Sequence, residues 1–282
     1  MRVYLDNAAT TQIAPEVIDY MAELMKSDYA NPSSIHHGGR KSRIIVENAR
    51  KTVSNYLNTS PGNIFFTSGG TEADNMAIRC GILDNNISHA ITSSISHKAV
   101  IYPLEELSDK KKIVLNYIKL DNNGKIDLIH LEDLLKNNPR TFVSIMHANN
   151  EIGTIQPIIE IGDLCKKYNA IFHCDTVQTM AHYPIDLQKI NVDFITGSAH
   201  KFHGPKGVGF IYISDNIDIA PFISGGSQER NMRAGTENVH AIAGLAKAMQ
   251  LSYENMDNDK EYISKIKKYM IDQLMLNIND VQ

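Results

Sequence analysis

The chain has 282 residues, 43% hydrophobic and 21% charged, with 28 Lys+Arg against 32 Asp+Glu for a formal charge of −4. This is globular composition, long enough for one large core, and it excludes disordered, collagen-like and disulfide-scaffold classes. The near-neutral balance argues against a nucleic-acid surface. No apolar run is long enough for a transmembrane helix, and the first residues lack the apolar core of a signal peptide. Three cysteines, Cys80, Cys165 and Cys174, suit a reducing compartment, so a cytoplasmic location is expected.

In chain order, Val17, Ile18, Met21, Leu24 and Met25 recur at helical spacing, which predicts a helix over 15–26 with Pro15 in its first turn. A longer helix is predicted over 35–57. Ile64–Thr67 reads as a strand that ends at Ser68-Gly69-Gly70, followed by a helix from Thr71 to Leu83. Further strands are predicted at 89–92, 113–118, 142–147, 170–174, 192–195 and 208–213, with helices at 128–136 and 159–168. The Asp109–Lys112 run reads as a solvated turn. Strands alternating with helices predict an α/β layer fold with a mostly parallel sheet, whose ligands sit at the carboxyl ends of the strands. Two helices are predicted near the C-terminus, 249–256 and 262–274, separated by Asp257-Asn258-Asp259. Tyr262, Ile263, Ile266, Tyr269, Met270 and Leu274 give the second an apolar face that needs a partner surface. The expected division is a large domain over 1–255 and the start of a small one over 256–282.

Four polar clusters fall just past predicted strands. In TSGGTEADN (67–75), Gly70 and Thr71 open a helix and offer amides and a hydroxyl to a phosphate, or form a plain strand–helix turn. Glu72 favours the helix dipole but repels a phosphate placed too close. In HCDTVQ (173–178), Asp175 ends an apolar strand. It either grips a protonated ring nitrogen, beside the hydrogen-bonding Gln178, or caps the next helix. In ITGSAHKFHGPKGVGFIYI (195–213), Lys201 is placed to form a Schiff base with an aldehyde, and Ser198 and His200 to hold an anion. A solvated loop lysine is the alternative, and local sequence does not separate Lys98, Lys201 and Lys206. In TSSISHK (92–98), His97 either stacks on a flat cofactor or acts as an acid–base group, or simply starts a surface helix. Asn149 and Asn150 orient a ligand oxygen or shape their turn.

Metal binding finds no support: His36 and His37 are adjacent, and no C-x₂-C or H-E-x-x-H occurs. Dinucleotide and P-loop signatures are absent too. Cys80 and Cys165 fall in helical patterns and read as small buried hydrophobes, while Cys174 precedes Asp175 on a strand and faces away from it.

The order of YLDNAATT (4–11), NPSSIHHGG (31–39), FTSGGTEADN (66–75), SHKAV (96–100), HANNEIGTIQP (147–157), FHCDTVQ (172–178), GSAHKFHGPKGVG (197–209) and GGSQERNMRAGTENV (225–239) closely resembles the cysteine desulfurases of the NifS/IscS type. These are class V aminotransferase relatives that use pyridoxal 5′-phosphate (PLP). The resemblance implies a fold type I large domain on a seven-stranded sheet, a homodimer, L-cysteine as substrate and a sulfur-acceptor or scaffold protein as partner. It implies that Lys201 holds PLP covalently and shuttles protons, that Asp175 pairs with the pyridine nitrogen and that His97 stacks on the ring. Asn150 and Gln178 would lie near the phenolic oxygen. Gly70, Thr71, Ser198 and His200 would form the phosphate site, joined by Thr236 from the neighbouring subunit. The family reaction moves sulfur from cysteine to a protein thiol and releases alanine, for iron–sulfur cluster or thio-cofactor synthesis.

The resemblance also implies a nucleophilic cysteine and a substrate-carboxylate arginine beyond the 225–239 motif. None of the three cysteines stands at a matching position, and neither group is found before Gln282. Smaller departures are Ser96, where Glu is common, and Asn231, where Gly is common. The readings carried forward are a desulfurase-family protein with impaired chemistry, one half of a split enzyme, a scaffold without activity, and another class V lyase or aminotransferase.

Overall fold

The computed structural model describes residues 3–279; the outermost residues of both expected domain spans, 1–2 and 280–282, lie outside it. Seven strands form a single sheet: β1 (Ile64–Thr67), β2 (His89–Ser93), β3 (Val114–Ile118), β4 (Thr141–Met146), β5 (Ile171–Asp175), β6 (Phe194–Ser198) and β7 (Gly209–Ile213). Their spatial order is β1-β7-β6-β5-β4-β2-β3. Only β7 runs against its neighbours β1 and β6; the remaining pairings are parallel. The central strands β4, β5 and β6 are buried along their whole length, as their continuous apolar runs require of strands covered on both faces.

The helices are α1 (Pro15–Ser27), α2 (His37–Tyr56), α3 (Gly70–Leu83), α4 (Lys98–Asp109), α5 (Leu128–Asn137), α6 (Ile158–Lys167) and α7 (Val239–Asn277). They divide the core into two apolar clusters. In one, Phe172, Phe202, Phe210, Leu245 and Met249 sit under α1, α2 and α7; in the other, Met76, Leu104, Phe142 and Phe194 sit under α3 and α4. Helix α4, with Pro103 inside it, was offered by the sequence only as the alternative at His97, without a range.

The C-terminal expectation needs correction. The two predicted helices are one, α7, which runs unbroken through Asp257-Asn258-Asp259 and begins ten residues before the first of them, at Val239 rather than Met249. Three polar residues in an exposed stretch leave the i→i−4 backbone bonds intact, and their propensity penalties are a few tenths of a kcal/mol each. Its first half packs Ala241, Gly244, Leu245 and Ala248 against the molecule, with α1 and α2 as neighbours. Its second half projects: Tyr269 is 67% exposed and Leu276 77%.

Asn231 has φ 67°, in the left-handed region that Gly adopts freely and Asn tolerates better than other side chains. It closes a run with Glu229 and Arg230 at φ 42° and 55°. That run is held by a buried ion pair in which Arg50 donates to both Glu229 oxygens at 2.7 and 2.9 Å, while Glu229 also accepts from the Phe66 amide. Asn231 thus takes a backbone conformation that Gly, the residue customary here, adopts freely. Ser96 is buried, and its hydroxyl accepts from Thr92 Oγ1 at 3.2 Å.

Candidate active site

The carboxyl ends of β4, β5 and β6 open into a cavity of about 360 Å³. Gly70, Thr71, His97, Asn150, Asp175, Gln178, Ser198, His200 and Lys201 all line it. Thr236 does not; it is exposed and lines a separate cavity of about 220 Å³ beside Glu229 and Arg233.

One wall is the first turn of α3, whose free amides and dipole favour an anion. A Cβ at Gly70 would come within 2.8 Å of Val177 Cγ2, so only glycine brings this backbone so close to the β5 loop. Glu72 is turned aside. Its carboxylate accepts from the Ser68 amide at 2.9 Å and from Arg233 at 2.7 Å. Burial works against its charge, but the bonds from Arg233 and Ser68 win and hold its pKa below the usual value. The repulsion expected from Glu72 is thereby neutralised.

The floor is Asp175, the last residue of β5. It is buried, and its one side-chain hydrogen-bond partner among the described residues is the Val177 amide, 2.9 Å from Oδ1. Burial, reinforced by the nearby carboxylate of Asp74, pushes its pKa up to about 7. Cys174, the neighbour on β5, is fully buried and its thiol is driven far up. Thr176 anchors the next turn by donating to the Thr196 carbonyl at 2.7 Å.

The rim carries the amine. Lys201 sits in a short 3₁₀ turn after β6 and is half-buried. Its Nζ donates to the carbonyls of Ala8 and Ala9, the latter at 3.0 Å. Burial lowers its pKa, opposed by Asp175 and Asp6. Lys98 and Lys206 are exposed and outside the lining, so the fold separates the three lysines that local sequence did not. Thr11 fastens the N-terminal segment to this turn. Its hydroxyl donates to the His200 carbonyl at 2.9 Å and accepts from the His203 amide at 2.7 Å. Gln178 donates to the Ala8 carbonyl at 3.0 Å, and His200 Nδ1 lies 3.1 Å from Thr10 Oγ1.

His97 caps α4, its Nδ1 accepting from the Ala99 amide at 3.1 Å, and the same ring lines the cavity. Asn149 shapes the turn, accepting from the Glu151 and Ile152 amides and donating to the Ile95 carbonyl, while Asn150 lines the cavity. The residues that sequence reasoning missed are Ala8, Ala9, Met146, Val177 and Asp74. Asp74 follows Thr71 by three residues on α3, so the two share a helix face, but that spacing is common to many polar helix residues and did not single it out.

The model of the class-V aminotransferase family matches residues 3–282. A cysteine desulfurase IscS of Dictyoglomus turgidum is 44% identical over 282 residues, covering 99% of this chain and 71% of the relative. The chain is a class-V aminotransferase of the cysteine desulfurase family. Class-V aminotransferases and cysteine desulfurases are PLP-dependent. A solved NifS-like protein superposes with a TM-score of 0.94 at 40% identity, over 98% of this chain and 76% of that one. A second structure, SspA in complex with cysteine, gives 0.84 at 34% identity over 88% and 72%. The desulfurase chain thus has the α/β fold that its sequence implied. No described helix is long and apolar enough to cross a membrane.

Proposed function

We propose that this chain binds PLP in the cavity at the strand ends and removes sulfur from L-cysteine. One observation carries the reading: a half-buried lysine amine, an uncompensated buried carboxylate and a helix N-terminus face one cavity. The residues fit the cofactor. Asp175 has no ion-pair partner among the described residues, which a protonated pyridine nitrogen would supply, and the first turn of α3 at Gly70 and Thr71 offers its amides to a phosphate. Lys201, with its proton affinity lowered, would hold the cofactor and then move a proton at the substrate Cα. His97 would cover the ring, Asn150 and Gln178 would orient its phenolic oxygen, and Thr71, Ser198 and His200 would bind the phosphate. Bound PLP supplies an electron sink for the pair left at the substrate Cα.

The thiol that accepts sulfur is not Cys80, Cys165 or Cys174. All three are buried, and burial drives their thiols up, Cys80 to about 12. A buried thiol is neither ionised nor reachable. We assign the acceptor to a thiol outside these residues, on a further segment or a partner protein. The exposed position of Thr236 suits a second copy reaching this site from its own subunit, as in a homodimer. The large domain is proposed to end near 255, where burial along α7 stops. Three free thiols among the described residues fit a cytoplasmic location.

The test adds PLP and L-cysteine to the chain with an excess of a small thiol as acceptor, and measures alanine and sulfide. Stoichiometric alanine and sulfide that vanish in Lys201→Ala support the reading. Alanine formation that persists in Lys201→Ala removes that lysine from the mechanism. Tight PLP binding without alanine favours the scaffold, for which the inert thiols speak.

A further inference from the structure

Beneath the cavity, beside Asp175, lie two buried titratable groups, Asp74 and His173, that the roles above leave unused. Asp74, on α3, is 2% exposed and Asp175 is 4% exposed, and both line the same cavity. Among the described residues no lysine or arginine forms an ion pair with either; the sole such contact is His173 with Asp74. Two ionised carboxylates placed this way are both desolvated and repel each other, so one of them is driven to take a proton.

The third group supplies a place for that proton. His173 is fully buried on β5, two residues before Asp175 and therefore on the same face of the sheet. Its Nδ1 lies 2.9 Å from Ser144 Oγ. Its Nε2 makes no hydrogen bond among the described residues, yet stands 3.4 Å from Asp74 Oδ1. Thr196 Oγ1 donates to that same oxygen at 2.8 Å. A buried ring nitrogen without a partner is costly, and so is a buried carboxylate with one neutral donor. A single proton between Asp74 Oδ1 and His173 Nε2 removes both defects. The imidazole then donates from Nδ1 to Ser144, accepts at Nε2, and carries no charge.

We propose that Asp74 and His173 share one proton as an uncharged buried pair, which leaves Asp175 as the single negative charge facing the cavity. Burial disfavours the charged form of each, raising Asp74 to about 7 and lowering His173 to about 4. The other titratable groups turned toward Asp175 are His97 at the start of α4 and Lys201 on the rim, and both favour its anion. Asp74 is thus a positioning residue. It acts by keeping a second anion away from Asp175. The effect on the cofactor rests on the PLP reading given above; the proton sharing does not.

Infrared difference spectra at pH 7, wild type minus Asp74→Asn, test the pair directly, with and without PLP. The expected result is a deuterium-sensitive carbonyl band of a protonated carboxylic acid that Asp74→Asn removes. Loss of carboxylate bands instead shows that Asp74 is ionised, and overturns the proposal. Should Asp74→Asn fail to fold, His173→Gln reads the same band: it shifts with the new partner and persists. A band that neither shifts nor persists overturns the proposal. With ring-¹⁵N-labelled PLP, Asp74→Asn keeps a protonated ring nitrogen and changes PLP affinity by less than about threefold. Asp175→Asn loses that proton and more than about tenfold in affinity. Equal loss of ring protonation in both variants contradicts the proposal. An acid band that Asp74→Asn removes, in a chain that takes up no PLP, upholds the pair and rejects the PLP reading alone.

Discussion

The floor of the cavity and its rim are built from different materials. The floor, at the ends of β5 and β6, holds Asp74, His173 and Asp175 out of water, fixed by fully buried strands and by hydroxyls of Thr196 and Ser144. The rim holds Lys201, Gln178 and His200 partly in water, fixed by the backbone carbonyls of Ala8 and Ala9, the hydroxyl of Thr11 and a 3₁₀ turn. The floor therefore sets charge, because small changes there act at low dielectric. The rim sets access and reach, because its contacts are hydrogen bonds that solvent can replace. Variants in the two regions should separate along those lines.

The largest effect is expected on the rim. Lys201→Ala should abolish borohydride fixation of PLP entirely, while non-covalent binding, read by cofactor fluorescence, persists. Its thermal stability should change little, because the amine is half-buried and already disfavoured there. Retained fixation at another lysine would break the distinction.

On the floor, Asp175→Asn should change the pH dependence of the apo chain. The folded pKa of Asp175 lies near 7, above its unfolded value of 3.8. Its contribution to stability is therefore present below about pH 4 and is lost as pH rises through about 7. Relative to wild type, the variant should gain stability over that window, by about 1.4 kcal/mol for each tenfold difference in proton affinity. Urea unfolding at pH 5 and pH 8 reads the difference. Parallel pH profiles would show that the floor does not confine charge.

A rim variant sharpens the contrast. Thr11→Val deletes the hydroxyl that donates to His200 and accepts from His203, at a cost of about 1–3 kcal/mol in stability. PLP affinity should fall, while the protonation of the ring nitrogen stays as in wild type. Loss of ring protonation in this variant would mean that rim and floor are one unit. The smallest effect is expected away from both. Asn231→Gly relaxes the left-handed backbone at φ 67° and should stabilise the chain by less than about 1 kcal/mol in chemical denaturation.

The strands were legible where they are short apolar runs, and β1, closed by Ser68-Gly69-Gly70, falls on the residues the sequence indicated. The same runs place Asp175, Ser198 and Lys201 at strand ends, where the family resemblance and the bare pattern agree. Helix α4 was hidden by Pro103 and by the polar residues before it, a local signal that packing of Val100, Leu104 and Leu107 overrides. In α7, Asp257-Asn258-Asp259 imitated a break that the backbone does not make. Asp74 was illegible for a different reason. On α3 it reads as one more polar helix residue, and only the approach of Thr196 and His173 from other elements makes it part of the floor. The carbonyls of Ala8 and Ala9 carry no side-chain signal at all.

The central claim is that Lys201 and the helix N-terminus at Gly70 and Thr71 form one PLP site. Reduction of the PLP-treated chain with borohydride, followed by peptide mapping, tests it most directly. The account predicts one pyridoxyl adduct, on Lys201, with a visible absorption band that disappears on reduction. Adducts scattered over Lys98, Lys206 and other exposed lysines, without such a band, would contradict it.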